Sequence, residues 1–225
     1  MQFNFIKRFY ESYFFISLDC RLKKSLSGRR WTFQPTIMIL LITGASHTGK
    51  TVLAQRLLEK YGFPYLSIDH LKMGLIRSGY TSLTPENDEL LTAYLWPIVR
   101  EMVKTAVENK QNLVVEGCYI PSDWRKDFSD EYLTSIRLIC IALTDGYIDA
   151  NFDKILSYAS VIESRLDDSY CTIESVKKDN SAFIRLFSES GDEMVLVEDD
   201  YEKAVDGIVD KCEEIIKEDE NERVC

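Results

Sequence analysis

The feature that most constrains the fold is a glycine-bounded turn between an apolar run and an amphipathic segment. Six apolar residues occupy positions 37–42, and the stretch Gly44-Ala45-Ser46-His47-Thr48-Gly49-Lys50-Thr51 follows almost at once. An uninterrupted apolar run of this length is typical of a strand buried on both faces of a parallel sheet. Apolar residues at 52, 53, 57 and 58 predict a helix over about 50–61, with Gly62 as its C-cap. The chain is therefore predicted to contain a strand–turn–helix unit here.

The turn matches the spacing Gly-x-x-x-x-Gly-Lys-Thr of the phosphate-binding loop in full. Glycines at 44 and 49 allow the backbone N–H groups to face an anion, and the following helix N-terminus adds positive potential. Lys50 is predicted to reach the β- and γ-phosphates of ATP, and Thr51 to offer its hydroxyl to Mg²⁺. We predict that all of residues 44–51 contact the nucleotide. We expect His47 to be exposed and neutral, and we assign it no separate role.

The rest of the chain alternates between strand and helix patterns. Strands are predicted at 65–68, 112–116, 136–143 and 194–197, and helices at 70–78, 84–109, 147–165, 173–188 and 200–217. Thr84 is the expected N-cap of the helix predicted at 84–109, and Pro97 is expected to kink this helix. Such alternation predicts an α/β protein with a three-layer P-loop NTPase fold, in which helices cover both faces of a five-stranded parallel sheet.

The composition divides the chain into an extension at 1–36, a domain at 37–220 and a tail at 221–225. Residues 1–37 are rich in aromatic side chains and hold seven basic and two acidic residues, a net charge of +5. One interpretation is an arm that binds a membrane surface or a partner. The other is a disordered tail or an upstream mis-start. We favour the second, because Met38 stands where the first strand begins.

Charge and cysteine usage exclude several function classes. The net charge is −10, so the residues after 37 carry −15, which argues against general nucleic-acid binding. No apolar run is long enough to cross a bilayer. The chain has six cysteines and two histidines with no Cys-x-x-Cys pair, so a zinc site is not expected. Scattered cysteines indicate reduced thiols in a cytoplasmic protein, and we interpret Cys118 and Cys140 as packing residues.

In parallel sheets, ligands bind at the carboxyl ends of the strands, and two acidic residues stand at such ends. Asp69 is predicted to accept a proton from an attacking hydroxyl or to hold the acceptor; the alternative is that it only caps the next helix. Glu116 follows an apolar strand, where a charge is costly unless it faces a cleft or a metal. We predict that it is an outer ligand of Mg²⁺ or the base; the alternative is a solvated strand-end carboxylate.

Four basic residues are candidates for contacts with the reacting groups. Lys72 and Arg77 lie on the short helix after Asp69 and are predicted to face a phosphate or carboxylate of the acceptor; the alternative is solvated charge. Kinases need cations that close over the transferred phosphoryl group. We predict Arg165 and Arg185 for this role, the alternative being ordinary ion pairs on helix surfaces.

Four segments together resemble the adenylate kinase-like branch of P-loop kinases. They are the loop at 44–51, Ser67-Ile68-Asp69-His70-Leu71-Lys72, Val114-Val115-Glu116-Gly117, and the cation-bearing segment before the fifth strand. This branch includes nucleoside monophosphate kinases, shikimate-type kinases, chloramphenicol phosphotransferase, zeta-toxin-type kinases and proteins labelled 2-phosphoglycerate kinase. The resemblance implies ATP and Mg²⁺ as cofactors, a mobile lid with arginines, and phosphoryl transfer to a small-molecule or nucleotide acceptor. Gly117-Cys118-Tyr119-Ile120-Pro121 replaces the Gly-Phe-Pro-Arg signature, which argues against a true adenylate kinase.

Three alternatives to a metabolite kinase stay open at this point. A zeta-toxin-like sugar-nucleotide kinase would be toxic to cells unless Lys50 were replaced. A nucleotide-binding switch module with little turnover would bind ATP without any phosphorylated product. An interaction protein that works through residues 1–37 would lose its function, but not ATP binding, when these residues are deleted.

Overall fold

Strand β1 (Ile39–Thr43) lies at the centre of a five-stranded sheet in which all strands are parallel. The computed structural model describes residues 38–158 and 171–222, with side chains of the last helix described as far as 214. The strand order is β2-β3-β1-β4-β5, where the others are β2 (Tyr65–Ser67), β3 (Leu113–Glu116), β4 (Ile136–Leu143) and β5 (Glu193–Val197). The chain therefore reverses its direction of strand addition at β1, which is where parallel sheets form their ligand crevice.

The helices of the described part cover both faces of this sheet. They are α1 (Lys50–Tyr61), α2 (Ile68–Arg77), α3 (Asp88–Glu108), α4 (Asp130–Leu133), α5 (Asp145–Tyr158), α6 (Ile173–Ser188) and α7 (Tyr201–Glu222). Helices α1, α5 and α7 pack on one face, and α2 and α3 pack on the other. Each face of the sheet carries one hydrophobic core. Helix α6 contributes Val176 to the core on the α1 face and Phe187 to the core on the α3 face.

Side-chain alternation along β1 builds both cores. Leu40 and Ile42 pack under α1 and α7, whereas Ile39 and Leu41 pack under α3. All five residues of the strand are buried. Each large aliphatic side chain removed from water contributes about 1.5–3 kcal/mol. The two-sided burial predicted from the apolar run is confirmed, and it fixes the strand that carries the glycine turn.

Two helix starts differ from the sequence prediction. Strand β2 ends at Ser67, and α2 already begins at Ile68, so Asp69 lies inside the first turn of the helix and does not cap it. Ile68 is fully buried against the α3 core, and this packing starts the helix early. Helix α3 begins at Asp88 and not after Thr84. The backbone N–H and hydroxyl of Thr84 both bond to the Asn87 side chain, which closes a turn before the helix.

Other boundaries agree closely with the prediction. Strand β4 and helix α6 have the predicted limits, and α6 begins with a capping box between Thr172 and Ser175. Pro97 lies within α3, which continues through it. Helix α5 bends at Asn151, whose φ and ψ are −129° and 17°. The predicted continuation of this helix to Arg165 lies outside the described residues, as does the predicted extension at 1–36.

Helix α7 is fixed against α1 by a line of polar contacts. Arg56 pairs with Glu202 and with Asp206, and Lys60 pairs with Glu213 at 3.0 Å. The Tyr61 hydroxyl donates to the Val209 carbonyl at 3.0 Å. Exposed ion pairs contribute at most about 1 kcal/mol each, so the apolar side chains of α7 supply most of the adhesion. The polar contacts fix the register of α7 along α1.

The cysteines of the described part all have free thiols. Cys140 is fully buried, and this burial raises the pKa of its thiol to about 12. Burial likewise raises the pKa of Cys118 and of Cys212 to about 11. Thiols with such pKa values stay protonated and unreactive, as packing residues do. Within residues 38–158 and 171–222, no helix has the length and apolar character needed to cross a membrane.

Asp192, just before β5, ties that strand to a 3₁₀ turn at Trp124–Asp127. Its side chain is 0% exposed, accepts the Trp124 indole N–H at 3.1 Å and pairs with Arg125 at 2.5 Å. The indole itself is 1% exposed. A buried donor that loses its acceptor carries its full desolvation cost. The packing of the 3₁₀ turn against the start of β5 therefore depends on Asp192.

We therefore expect Asp192→Ala to lower the free energy of unfolding by about 2 kcal/mol, because the indole N–H is left buried without an acceptor. Asp192→Asn keeps an acceptor oxygen and should cost less. Asp123→Ala removes an exposed ion pair with Lys126 and should cost less than about 0.5 kcal/mol. Urea denaturation of the three variants measures these values, and equal losses for Asp192→Ala and Asp123→Ala would contradict the assignment.

Candidate functional site

The turn between β1 and α1 has the backbone geometry of an anion-binding loop. Gly44 and Gly49 have φ values of +144° and +80°. A methyl group at Gly44 would overlap the Ile141 carbonyl oxygen, and one at Gly49 would overlap the Tyr201 hydroxyl. Only glycine fits either position. The loop leads directly into the N-terminus of α1, so its backbone amides and the helix dipole point to the same place.

Lys50 lies across this loop. Its Nζ donates to the Ala45 carbonyl at 2.7 Å, and the residue is 8% exposed. The Thr48 hydroxyl donates to the same carbonyl at 3.0 Å. The Ala45 carbonyl thus holds the Lys50 and Thr48 side chains against the loop, whose curved backbone we call the cup. An ammonium group held there can neutralise an anion that enters the cup.

His47 differs from its prediction. It has a left-handed φ of +66° and is half-buried, with Nε2 3.8 Å from the Cys171 Sγ. The sequence predicts an exposed loop histidine. The left-handed backbone instead brings the ring against the start of α6, and this placement could not be read from the loop motif. His47 therefore connects the loop to Cys171, which lies just before α6.

Glu116 and Thr51 are the two residues predicted to serve a metal. Glu116 pairs in register with Ile42 and Ser67 and is 1% exposed. By alternation from Val114, its side chain lies on the α1 face of the sheet, the side on which the loop continues into its helix. Thr51 is half-buried in the first turn of that helix. In the part of the chain that the structure describes, no group of three or more His, Cys, Asp or Glu could hold a metal.

Asp69, at the start of α2, belongs to a network of polar side chains whose link through Tyr119 the sequence did not predict. The Lys72 Nζ donates to Asp69 Oδ1 at 2.5 Å and to the Tyr119 hydroxyl at 2.9 Å. The ammonium also lies 5.0 Å from the centre of the Tyr119 ring. Tyr119 in turn donates to Asp88 Oδ1 at 3.2 Å. Three elements, α2, the segment after β3 and the start of α3, are joined by these contacts.

The two halves of the site meet around Cys118. Its thiol lies within electrostatic range of Lys50 on the loop side and of Asp69, Lys72 and Asp88 on the other side. Burial raises the pKa of Tyr119 far above its usual value, and the neighbouring carboxylates add to this effect. The Tyr119 hydroxyl therefore stays protonated and remains a donor to Asp88. Charges of the loop and of the Asp69 network thus act on the same thiol, which follows the carboxyl end of β3.

Two of the other predicted cations, Arg77 and Arg185, are exposed near the ends of their helices. Arg77 is exposed in the last turn of α2. Arg185 is exposed in the last turn of α6, which leads into the first residue of β5 and so lies toward the amino edge of the sheet. A helix that returns from the carboxyl edge ends opposite the loop, so the chain topology keeps Arg185 away from it. Arg165 lies outside the described residues.

Three residues of the site were missed from the sequence. Tyr119 lies shortly after the end of β3, in the segment Gly117–Pro121 that departs from the adenylate kinase pattern. That departure was the sequence feature that could have pointed to Tyr119. Asp88 carried no signal, because the predicted helix start at Thr84 placed it in a solvated first turn. Tyr201 carried none either, since its contact with Gly49 spans 152 residues of sequence.

The chain is similar to solved structures of small kinases over most of its length. A shikimate kinase from Bacteroides thetaiotaomicron matches with a TM-score of 0.50 and 12% identity, covering 78% of this chain and 98% of that one. A sugar kinase from Janibacter sp. HTCC2649 matches with a TM-score of 0.49 and 12% identity, covering 77% and 92%. A gluconokinase from Sinorhizobium meliloti 1021 matches with a TM-score of 0.46 and 13% identity, covering 83% and 99%.

No protein-family model and no curated protein sequence matches the chain. The likeness to this shikimate kinase extends over nearly all of that enzyme. The chain therefore has a three-layer α/β fold like that of this shikimate kinase, with a five-stranded parallel sheet and the glycine loop after its central strand.

Proposed function

We propose that the protein is a phosphotransferase that binds ATP in the loop at 44–51 and transfers its γ-phosphoryl group to a small-molecule acceptor in the adjoining cleft. The observation that carries the proposal is the loop itself. Gly44 and Gly49 adopt positive φ values at the end of the central strand, and Lys50 lies over the cup that they form. A cup of amides and one ammonium group, mounted at the sheet's switch point, suits a triphosphate.

The loop side would hold and neutralise the phosphates. Backbone N–H groups of the loop would donate to the β-phosphate, and Lys50 would turn from the Ala45 carbonyl toward the β- and γ-oxygens. This exchange replaces a hydrogen bond from the ammonium to a neutral carbonyl with one to a negatively charged phosphate oxygen, which is stronger. A Mg²⁺ ion, held through the Thr51 hydroxyl and through water at Glu116, would supply further neutralisation of the phosphate oxygens. The almost complete burial of Glu116 suits a carboxylate whose charge is balanced in this way.

The acceptor side would position the attacking group. Asp69 would accept the proton of the acceptor hydroxyl as the oxygen attacks the γ-phosphorus. The new O–P bond forms as the bond to the β–γ bridging oxygen breaks, and ADP leaves with that electron pair. Lys72 would hold the Asp69 carboxylate in place through its contact at 2.5 Å, while Tyr119 holds Lys72. In this scheme Asp69 is the catalytic residue, and Lys72 and Tyr119 are positioning residues.

Tyr201 would support the loop from behind. Its hydroxyl donates to the Gly49 carbonyl at 3.2 Å and fills the space that a side chain at 49 would need. Burial raises the pKa of Tyr201, so the hydroxyl remains protonated and keeps its role as a donor. Gly49 also caps α1, and its carbonyl accepts from Leu53. Tyr201 thus couples the start of α7 to the residue that sets the curvature of the loop.

Replacement of Lys50 by alanine should lower ATP turnover at least about 100-fold, because the loop loses its cation. The fold should persist, since Lys50 makes one hydrogen bond, to Ala45, within the loop. Lys60→Ala is the matched control. This lysine lies in the last turn of the same helix and is exposed. Its described contacts are ion pairs with Asp210 and Glu213 of α7 and the ring of its neighbour Tyr61. ADP release and calorimetric ATP binding measure the effect. Equal activity of the two variants would remove the basis of the proposal.

Asp69→Asn should lower phosphoryl transfer about 100-fold and leave ATP affinity within about two-fold, since an amide cannot accept the proton. Asp123→Asn controls for the loss of an aspartate–lysine pair, because Asp123 pairs with Lys126 at the same spacing but on the surface. Transfer is measured with γ-labelled ATP. Unchanged transfer in Asp69→Asn would show that Asp69 is not the base, whereas ATP binding with no phosphorylated product in the native chain would favour a nucleotide switch.

Tyr201→Phe should weaken ATP binding about five- to ten-fold, the effect of a hydrogen bond worth about 1 kcal/mol on the loop geometry. Tyr61→Phe is its matched control, because Tyr61 also donates to a backbone carbonyl between α1 and α7 but at the end remote from the loop. Both variants should lose similar stability in urea, and only Tyr201→Phe should lose affinity in calorimetry. A similar loss of affinity in both would mean that Tyr201 serves stability alone.

A further inference from the structure

The cation of the acceptor side is already neutralised within the protein. Lys72 is 12% exposed, and two of its three N–H donors bind Asp69 and the Tyr119 hydroxyl. An acceptor phosphate or carboxylate would have to share this ammonium with Asp69, the residue proposed to accept the proton, and would find one remaining N–H donor. The charge of Lys72 is therefore largely balanced by Asp69, which weakens the attraction of this lysine for an acceptor anion.

Carboxylates predominate around this network. Asp88 binds the Tyr119 hydroxyl with one oxygen and is exposed. Burial raises the pKa of Asp179 on α6, and the charge of Asp88 raises it further. Lys178 lies beside Asp179 and partly offsets it. An anion at 4 Å from one such carboxylate is repelled by about 4 kcal/mol at the effective dielectric constant of a protein surface.

The chain around the network is acidic as well. Residues 69–97 contain four acidic and two basic residues, a net charge of −2. One of the two basic residues is Lys72, and the other is Arg77. Arg77 stands eight residues after Asp69 on α2, which separates their backbones by about 12 Å along the helix axis. Arg77 is also exposed, so water and salt screen its charge more than that of Lys72.

We infer, resting on the proposed function, that the phosphoryl acceptor is a hydroxyl compound with no phosphate or carboxylate of its own, a polyol or an amino alcohol. Carboxylate oxygens accept hydrogen bonds, and hydroxyl and ammonium groups donate them. Asp69 and Asp88 would each bind such a donor, and the third N–H of Lys72 would donate to an acceptor oxygen. The reacting hydroxyl gives its proton to Asp69 and its oxygen to the γ-phosphorus, while ADP departs.

The charge of the acceptor can be tested without knowing its identity. A small-molecule cell extract is passed over an anion exchanger at pH 7, which separates a flow-through of neutral and cationic compounds from a bound fraction of anions. Each fraction is incubated with the full-length protein, γ-labelled ATP and Mg²⁺, with Lys50→Ala as the control. We expect labelled product from the flow-through fraction, now retained by the exchanger because it carries a phosphate.

The outcomes separate the inference from the proposed function. Labelled product from the bound fraction alone would overturn the inference and leave the kinase proposal intact. Hydrolysis of ATP without product from either fraction would overturn both. A defined panel repeats the comparison: sorbitol, glycerol and ethanolamine against gluconate, glycerol phosphate and AMP. Preference for any of the last three over the first three would also overturn the inference.

A variant tests whether the Asp88 carboxylate takes part. Asp88→Asn keeps an oxygen for the Tyr119 hydroxyl but removes the charge. We expect kcat/KM for the flow-through acceptor to fall at least about five-fold, with KM for ATP unchanged and with anionic compounds less strongly excluded. Glu89→Gln, the exposed neighbour in the same helical turn, should leave both parameters unchanged. An unchanged kcat/KM in Asp88→Asn would show that this carboxylate does not select the acceptor.

Discussion

The close approach of the loop to its surroundings is the constraint on which the rest of the structure depends. Gly44 lies against the Ile141 carbonyl of β4, and Gly49 lies against the Tyr201 hydroxyl of α7. Both contacts exclude a side chain, so the loop is held between the sheet and the last helix. Two packed cores hold β1 beneath it, and the α1–α7 contacts hold the helix that follows it. The cup is thus shaped by elements far apart in sequence.

The sequence predicts those parts that local pattern determines. The apolar run at 37–42, the glycine spacing and the amphipathic period after Lys50 each report on residues within a few positions, and these predictions agree with the structure. Strand β4 is predicted in full because eight consecutive residues, largely apolar, leave no competing pattern. The start of α2 is misplaced by two residues, because the burial of Ile68 under α3 is a tertiary effect that overrides the signal of Asp69 as a cap.

The acceptor side is less predictable for a physical reason. Lys72 and Asp69 stand three residues apart on a helix, so their pairing follows from sequence. The role of Tyr119 does not, because it depends on how the segment after β3 lies beside α2, and the contact between them spans 47 residues. Charges that look available in sequence can therefore be satisfied within the fold. For Arg185 the topology decides, since α6 turns back to the edge opposite the loop.

The arrangement separates two electrostatic tasks that a kinase must perform close together. Lys50 and the loop amides offer positive potential at the end of β1, whereas Asp69 and Asp88 offer negative potential at the starts of α2 and α3. Opposite potentials so near each other would collapse into ion pairs if the side chains were free to meet. Lys72 prevents this, because it holds Asp69 on the α2 side while Tyr119 holds Lys72. The Ala45 carbonyl likewise holds Lys50 on the loop. Each charge is therefore held by contacts within its own part of the structure, Lys50 within the loop and Asp69 beside Lys72 on α2.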